Sequence, residues 1–409
     1  MLNRSLLAAL FVFPMLAAAC AAPGETKGGE SKGESPRSTS ASLTAPSAPL
    51  LCRLDADRTG KADATAAFKD ALDCSTKNGL AQVNIPPGTY AISAKLVVPV
   101  GVSVVGDSNA TLAFPGGFAD DAIELSDRAS ISGLNVTFAS AQAAGKAAVL
   151  GKGIGANVQK MRITNAGIGV YTPLEVNSGR IYVNQVAVYE STIGVWADFG
   201  LDVSRFENIH VERAAVAPNT YGVVFGRNDY MLASKISTAR LAVGAEFRDT
   251  SAKENTLGSF TAYTSRGCTQ GLSLKGGARV SASNLAIDAQ QSALVVADSS
   301  TISVSASRLA AITGSAVALS GTGSLTLSGS IVERTDTSSG DHGIAVNGGR
   351  FLNVTGNSIS SNGHGVYFFA SPQRGVVAAN TFNLTNPSGR GVFGAFDANV
   401  SVTGNGSNQ

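Results

Sequence analysis

The sequence predicts an all-β chain: a right-handed single-stranded parallel β-helix of about eleven coils, closed at its N-terminal end by a capping helix. Two observations carry that reading. The first is the stretch 339–369. There Gly343-Ile344-Ala345-Val346 and Gly365-Val366-Tyr367-Phe368 repeat a small–apolar–any–apolar pattern 22 residues apart, with Asn357-Ser358-Ile359-Ser360 between them. Such alternation marks a strand with one face inside, and a strand that returns at this interval is one coil of a solenoid. The second is the return of the small residue at Gly169, Gly194, Gly222, Gly244, Gly271, Ala293, Ala316, Gly343, Gly365 and Gly391, in steps of 22 to 28 residues. A second strand series runs between them: Ile163, Val186, Ile209, Leu241, Phe260, Leu285, Leu309, Ile331, Ile359 and Phe382. The fixed leucine consensus of leucine-rich repeats is absent, and propeller blades need longer units.

Length and composition agree with that architecture. The chain has 409 residues, enough for a sizeable core, and 46 of them are glycine. Only 15% are charged and there is one tryptophan, while Val, Ile, Ala, Ser, Thr, Gly and Asn dominate, as stacked strands and tight turns require. The net charge of +2 gives no sign of a nucleic-acid partner.

In chain order, residues 1–19 read as an export signal: a positive start at Asn3-Arg4, an apolar run from Leu6 to Leu16, and small residues Ala17-Ala18-Ala19. The run is too short to span a membrane well. Leu16-Ala17-Ala18-Ala19-Cys20 resembles a bacterial lipobox, which implies that Cys20 is lipidated and becomes the mature N-terminus. Residues 20–49 are Gly, Ser, Lys, Glu and Pro with almost no large apolar side chain, so they read as a flexible tether with an end-to-end distance of roughly 30 Å. The expected location is the cell envelope, as an outer-membrane or periplasmic lipoprotein, and otherwise secretion, with the membrane touched only through the lipid. Export implies an oxidising compartment. With Cys20 set aside, Cys52 and Cys74 are predicted to form a disulfide and Cys268 to be a buried core residue. No Cys or His spacing suggests zinc.

Residues 50–130 are expected to hold the cap and the first coils, and 131–409 the solenoid proper. Asp63 is placed to cap a helix whose Ala64, Ala67, Phe68, Ala71 and Leu72 share one face and which stops at Asn78-Gly79. Val83 to Ile85, Pro86-Pro87-Gly88 and Thr89-Tyr90 then read as strand, turn, strand, and 96–104 as one further strand. The helix would cover the open apolar end of the solenoid. This stretch resembles the N-terminal module of the pectate-lyase-like β-helix superfamily, through Asp63, Thr65, Phe68, Pro86, Pro87, Gly88, Thr89 and Tyr90. The resemblance implies the fold. Its known members include lyases, hydrolases, epimerases and phage tailspikes, so it leaves the activity open. At the other end no capping helix is expected; the polar tail 404–409 or another chain, hence a possible homo-oligomer, would cover the last coil.

Outward residues on successive coils should stack into columns. The column of the second series runs Thr164, Ala187, His210, Ala242, Thr261, Ala286, Ala310, Val332, Ser360 and Asn383, a flat surface on which His210 reads as an ordinary surface histidine. The column of the glycine-led series runs Tyr171, Trp196, Val224, Glu246, Ser273, Val295, Ala318, Ala345, Tyr367 and Phe393. Tyr171 and Trp196 on adjacent coils suit sugar stacking. Charged residues follow these strands: Glu175, Asp198, Arg227, Asp229, Arg248, Asp249, Lys253 and Glu254, with loops expected at 226–234 and 248–257. Hydrolysis needs two carboxylates about 5.5 to 9.5 Å apart, for which Asp198, Asp229 and Glu246 are candidates. Lyase or epimerase chemistry needs a base and a cation beside a uronate carboxylate, for which Arg227, Arg248 and Lys275 are candidates, with Ca²⁺ on Asp229 and Asp249 as the possible cofactor. The catalytic set is therefore Arg227, Asp229, Glu246 and Arg248, with Tyr171, Trp196, Asp198 and Lys275 binding substrate. A salt-paired loop is the simpler alternative.

A second set stacks at the small-residue turn: Asp341, His342, His364 and Arg390. Gly363-His364-Gly365 resembles the "GHG" element of polygalacturonase-type hydrolases, and Asp341-His342-Gly343-Ile344 is similar to their "DDCI" element. The acid expected one coil earlier is Ser315 here, and the second acid of the pair is His342. A plain turn before a strand explains the same residues. The alginate-epimerase "DPHD" element is absent. The expected partner is an acidic polysaccharide, bound and cleaved by lyase-type or hydrolase-type chemistry, or bound without cleavage as in adhesion.

Overall fold

A computed structural model describes residues 52–248, 256–336 and 341–407. The stretches expected to be an export signal and a tether, with Cys20, lie outside the described residues, as do Asp249, Lys253 and Glu254. Among the described residues 37 short strands pair side by side in parallel. They stack as a right-handed solenoid of about 13 turns.

Three ladders run along it. On the first, the inward residues stand in register from Cys52 through Val83, Val104, Ile131, Val158, Val183, Phe206, Ala233 and Phe260 to Val377. On the second they run from Leu112 through Val136, Ile163, Val188 and Val211 to Leu309, Val332, Ile359 and Phe382. The third descends from Leu96 through Ile123, Val149, Val170, Val195 and Val223 to Ile344, Val366 and Val392. Strand alternation puts these residues inside, where they form one apolar core. Part of that core is a run of aromatic rings, Phe206, Phe225, Phe247, Phe260 and Tyr263, with neighbouring centroids 4.7 to 5.3 Å apart. The Tyr263 hydroxyl is satisfied by Thr238 Oγ1 at 2.8 Å and by the Gly271 carbonyl at 2.9 Å.

The solenoid has eleven coils in the sequence reading and about 13 turns in the structure, because coiling begins earlier. Cys52–Arg53, Gln82–Ile85 and Ser103–Gly106 already stack in register, and Ser130–Ser132 continues them without a break at 130. The stretch 96–104 is two strands, Leu96–Val98 and Ser103–Gly106, parted by a turn in which Gly101 takes φ +71°.

The turn between the first and second ladders is a single left-handed residue. Lys160, Gln185, Asn208 and Lys235 have φ between 50° and 55° in the middle of unbroken strands such as Asn157–Thr164 and Tyr182–Tyr189. Farther along, asparagines stack beside this turn: Asn357 Oδ1 accepts the Ser330 N–H, Asn380 Oδ1 accepts the Asn357 N–H and Asn405 Oδ1 accepts the Asn380 N–H. These side chains satisfy backbone donors that no strand partner reaches.

The small-residue column has a steric cause. A Cβ on Gly194 would meet the Gly222 carbonyl oxygen at 2.5 Å and also the Val211 side chain, and Gly222, Gly244, Gly271, Gly343 and Gly365 repeat that approach to the following coil.

The helix, α1 (Thr65–Lys77), buries Thr65, Phe68, Ala71, Leu72 and Ser75 against the first coils. Its N-cap position is Ala64 rather than Asp63. Asp63 ends the preceding strand and still accepts the Thr65 N–H at 2.9 Å, while its other oxygen accepts from Ser93 Oγ at 2.6 Å. These hydrogen bonds hold its carboxyl low, at about 2. A disulfide joins Cys52 to Cys74, with Cα atoms 5.8 Å apart, and pins α1 to the first strand; Cys268 is a buried free thiol.

The second strand series was out of register. Leu241 precedes a strand of the third ladder, and Phe260 belongs to the first. The residue that follows Ile209 is Ile236. Ile163 stands beside Val188 rather than Val186, so Thr164 stands beside Tyr189, and Val332 points inward. The expected loop at 226–234 is mostly strand, since Asn228–Ala239 begins there.

Replacing Gly194 with alanine forces the Gly222 carbonyl and Val211 apart. We expect Gly194→Ala to cost about 1–3 kcal/mol of stability, read as a lower thermal midpoint, whereas Gly329→Ala, where a Cβ meets nothing within 4 Å, is limited to the strain of its φ of +54°.

Candidate functional site

The outward column of the third ladder is the one the glycine spacing indicates. Leu150, Tyr171, Trp196, Val224, Glu246, Ser273, Val295, Ala318, Ala345, Tyr367 and Phe393 follow one another in register. Two constellations lie on it.

The first is the middle group. Tyr171 and Trp196 are neighbours, with ring centroids 5.1 Å apart and planes at 45°. They lean on an outer apolar cluster of Ala147, Leu150, Ile168 and Ile193. The Arg248 guanidinium covers the Trp196 ring at 4.6 Å. Tilted, half-buried and covered, these rings are not the open platform that their spacing suggests. Glu246 is 2% exposed, with Lys275 Nζ 3.0 Å from Oε2 and Arg248 Nη1 3.4 Å from Oε1. The carboxylate is therefore placed to orient two cations rather than to reach a substrate. Asp198 is also buried; its Oδ1 accepts the Phe199 N–H, and its carboxylate lies against Gly226, where any Cβ would strike it. Arg227 stacks on Phe199, with Cζ 3.3 Å from the ring centroid. Asp229 is exposed in Asn228–Ala239, and no hydrogen bond or ion pair links it to Glu246 among the described residues. Its supposed partner for calcium, Asp249, lies outside the described residues. Among the described residues no group of three or more His, Cys, Asp or Glu is placed to hold a metal ion.

The second constellation lies toward the C-terminal end. His342 stacks on Tyr367 at 4.2 Å and 17°, and His364 on Phe393 at 4.4 Å and 26°. His364 and Tyr367 lie 5.4 Å apart at 18°, so the rings alternate along the column. Phe369 packs edge-on to Tyr367 at 4.5 Å and is 58% exposed. The Arg390 guanidinium is 5.1 Å from the Phe393 centroid.

The turn geometry fixes the imidazoles. The His364 backbone N–H donates to His342 Nδ1 at 3.2 Å, and the Arg390 N–H donates to His364 Nδ1 at 3.0 Å. A nitrogen that accepts cannot carry the proton, so each neutral ring bears it on Nε2. Burial, and then the neighbouring His364, lowers His342 from 6.5 to about 4; burial, and then the Arg390 charge, lowers His364. Both rings are hydrogen-bond donors at neutral pH.

Gly363 admits this arrangement, because a Cβ there would meet His342 Nδ1 at 2.8 Å and crowd the Asp341 carbonyl; the inward side of Gly365 faces Phe382 and Gly391. The Gly-His-Gly run is thus required by the coil itself. Asp341 accepts the Gly314 N–H at 3.1 Å and lies 3.6 Å from Nη2 of Arg334, whose side chain is fully buried. His210 is satisfied on the second ladder by Glu212 at 3.0 Å and Ser237 at 3.3 Å.

Sequence reasoning placed Tyr367 and Phe393 in the column without a role, and missed Phe369 and Arg334. The signal for the ring ladder was present: aromatic and imidazole residues recur at the period of the coil.

These features define a right-handed parallel β-helix with an outward ring ladder. A family model for rhamnogalacturonase A/epimerase, pectate-lyase-like proteins matches residues 53–135, and one for the right-handed β-helix region matches 250–407. The chain thus carries a pectate-lyase-like segment at its N-terminal end and a right-handed β-helix region in its C-terminal part. No curated protein matches it in sequence. Among solved structures it is similar to the tailspike protein of E. coli bacteriophage HK620 in complex with a pentasaccharide, at 9% identity and TM-score 0.56, covering 83% of this chain and 78% of that one. It is also similar to the A-module of a mannuronan C-5 epimerase of Azotobacter vinelandii, at 13% identity and TM-score 0.50, covering 87% and 98%. At these identities the likeness is one of fold.

Because His342 ionises at about 4 in the fold and at its ordinary 6.5 when unfolded, the unfolded chain binds more protons between those values. Its contribution to stability is complete above about pH 6.5 and is lost as the pH falls toward 4. We expect the thermal midpoint to drop across that window, and to drop less in His342→Gln.

Proposed function

We propose that the protein binds an acidic polysaccharide along the outward face of the third ladder. The observation that carries this reading is the alternation His342, Tyr367, His364, Phe393, with Arg390 lying over its end. Sugar rings present C–H faces that stack on aromatic planes. Neutral Nε2–H groups suit hydroxyl oxygens, and a guanidinium suits a uronate carboxylate. The similar folds named above, a tailspike solved with a pentasaccharide and an epimerase named for mannuronan, are in keeping with a glycan partner.

The geometry favours recognition over cleavage. A general base needs a free lone pair, and the Nδ1 atoms of His342 and His364 already accept backbone N–H groups. Glu246 is buried between two cations. Hydrolase-type or lyase-type action would have to find its acid or base elsewhere.

The test is a panel of uronate polymers offered to a soluble chain starting at Ser47, with binding, new ultraviolet absorbance and new reducing ends all followed. Binding with neither product signal is the expected result; either signal would establish cleavage and overturn the reading. Phe393→Ala should weaken binding by about 1 kcal/mol, roughly fivefold, and unchanged affinity would remove the ring ladder from the site.

We further propose that Cys20 is lipidated and holds the protein in the cell envelope, on the strength of the lipobox resemblance and the polar tether that follows. Wild type should then partition into the detergent phase of Triton X-114 and Cys20→Ser into the aqueous phase. Equal partitioning would refute the anchor.

A further inference from the structure

A groove of about 640 Å³ opens on the outward side of the first ladder, lined by Arg279, Thr301, Ser324, Arg350 and Gln373 among others. A further lobe of about 310 Å³ shares Arg350 and Gln373 and adds Phe351 and Arg374. The register explains the layout. Arg279, Thr301, Ser324 and Phe351 stand one above the next on successive coils, and Arg350 immediately precedes Phe351. Arg279 and Arg350 are therefore three coils apart, about 14 Å at strand spacing, with hydroxyl groups between them.

The charge of this groove is one-sided. Arg279, Arg350 and Arg374 make no ion pair among the described residues, whereas Arg308, on the second ladder, is held by both Asp288 and Glu333. No carboxylate lines either lobe. The nearest acid in the sequence, Asp298 beside Ser299, is turned to accept the Gly276 N–H at 3.1 Å. Exposed guanidinium groups with no acid among them are placed to meet an anion, and guanidinium forks pair with carboxylate or sulfate oxygens in bidentate fashion. The chain's net charge is only +2, so this concentration of positive charge is local.

We propose that this groove is a second glycan subsite, taking an extended anionic segment whose carboxylate or sulfate groups meet Arg279 at one end and Arg350 with Arg374 at the other, while Thr301, Ser324 and Gln373 bind hydroxyls. It lies on a different face from the ring ladder and does not depend on that ladder binding sugar.

The experiment titrates the soluble chain calorimetrically with three hexasaccharides: oligogalacturonate, a sulfated heparin fragment, and neutral maltohexaose. Wild type is compared with the double variant Arg279→Gln/Arg350→Gln and with Phe393→Ala, each first confirmed as folded by circular dichroism. The inference expects the double variant to lose at least tenfold in affinity for one or both anionic ligands, with a shallower salt dependence and no change toward maltohexaose. The two anionic arms identify whether carboxylate or sulfate is the preferred group. Undiminished affinity in the double variant, or no anionic binding by wild type, overturns it. Loss in Phe393→Ala alone removes the groove and keeps the ring ladder; loss in the double variant alone does the reverse.

Discussion

Each coil of this solenoid hydrogen-bonds its backbone to the next, so strand spacing of about 4.8 Å sets every other dimension of the molecule. Inward residues must tile one core, and Val, Ile, Leu and stacked phenylalanines do so. At most coils of the third ladder a methyl group at the small-residue position would strike the following coil's carbonyl or a side chain of the second ladder, which is why glycine recurs there, with alanine only at Ala293 and Ala316. Outward residues inherit the same spacing. A functional surface on this fold is therefore a column, and chemistry is set by which side chains the coil period places on top of one another.

On the third ladder that rule yields two unlike surfaces. Around Glu246 the column closes on itself: Arg248 spans Trp196 and the Glu246 carboxylate, and Lys275 completes the pair from the next coil. Around Tyr367 it stays open. There the backbone N–H of each turn enters the imidazole of the previous coil, so His342 and His364 are held flat against Tyr367 and Phe393. Asp341, anchored on the buried Arg334, fixes the turn that carries His342. Flat rings, neutral donors and a guanidinium suit the glycan recognition proposed above, and their own hydrogen bonds occupy the Nδ1 lone pairs that proton abstraction would use.

The parts of this arrangement that were legible in the sequence are those with a steric marker. A small residue, glycine or alanine, flags the third ladder from Gly169 to Gly391, and the column from Tyr171 to Phe393 followed from it without error. Cys52 and Cys74 were legible because few partners were available. The second ladder has no such marker. Its turn is a single left-handed residue that varies from Lys160 to Gln185 to Asn208, so the register slipped at Leu241 and Phe260. The cap at Ala64 was missed because Asp63 serves the same N–H from a strand end. The roles of Glu246 and His364 depend on what faces them from other coils, and the Arg279–Arg350 groove gathers residues from turns far apart in sequence. No local pattern encodes either.

The central claim is that both ladder imidazoles are neutral and protonated on Nε2. Nitrogen-15 NMR of histidine-labelled protein tests it directly, since the two ring nitrogens report their protonation separately, and His342→Gln and His364→Gln assign the signals among the three histidines. The account predicts, at pH 7, an unprotonated Nδ1 and a protonated Nε2 on both residues, with His342 remaining so as the pH falls toward about 4. A proton on Nδ1, or a charged ring at neutral pH, would contradict it.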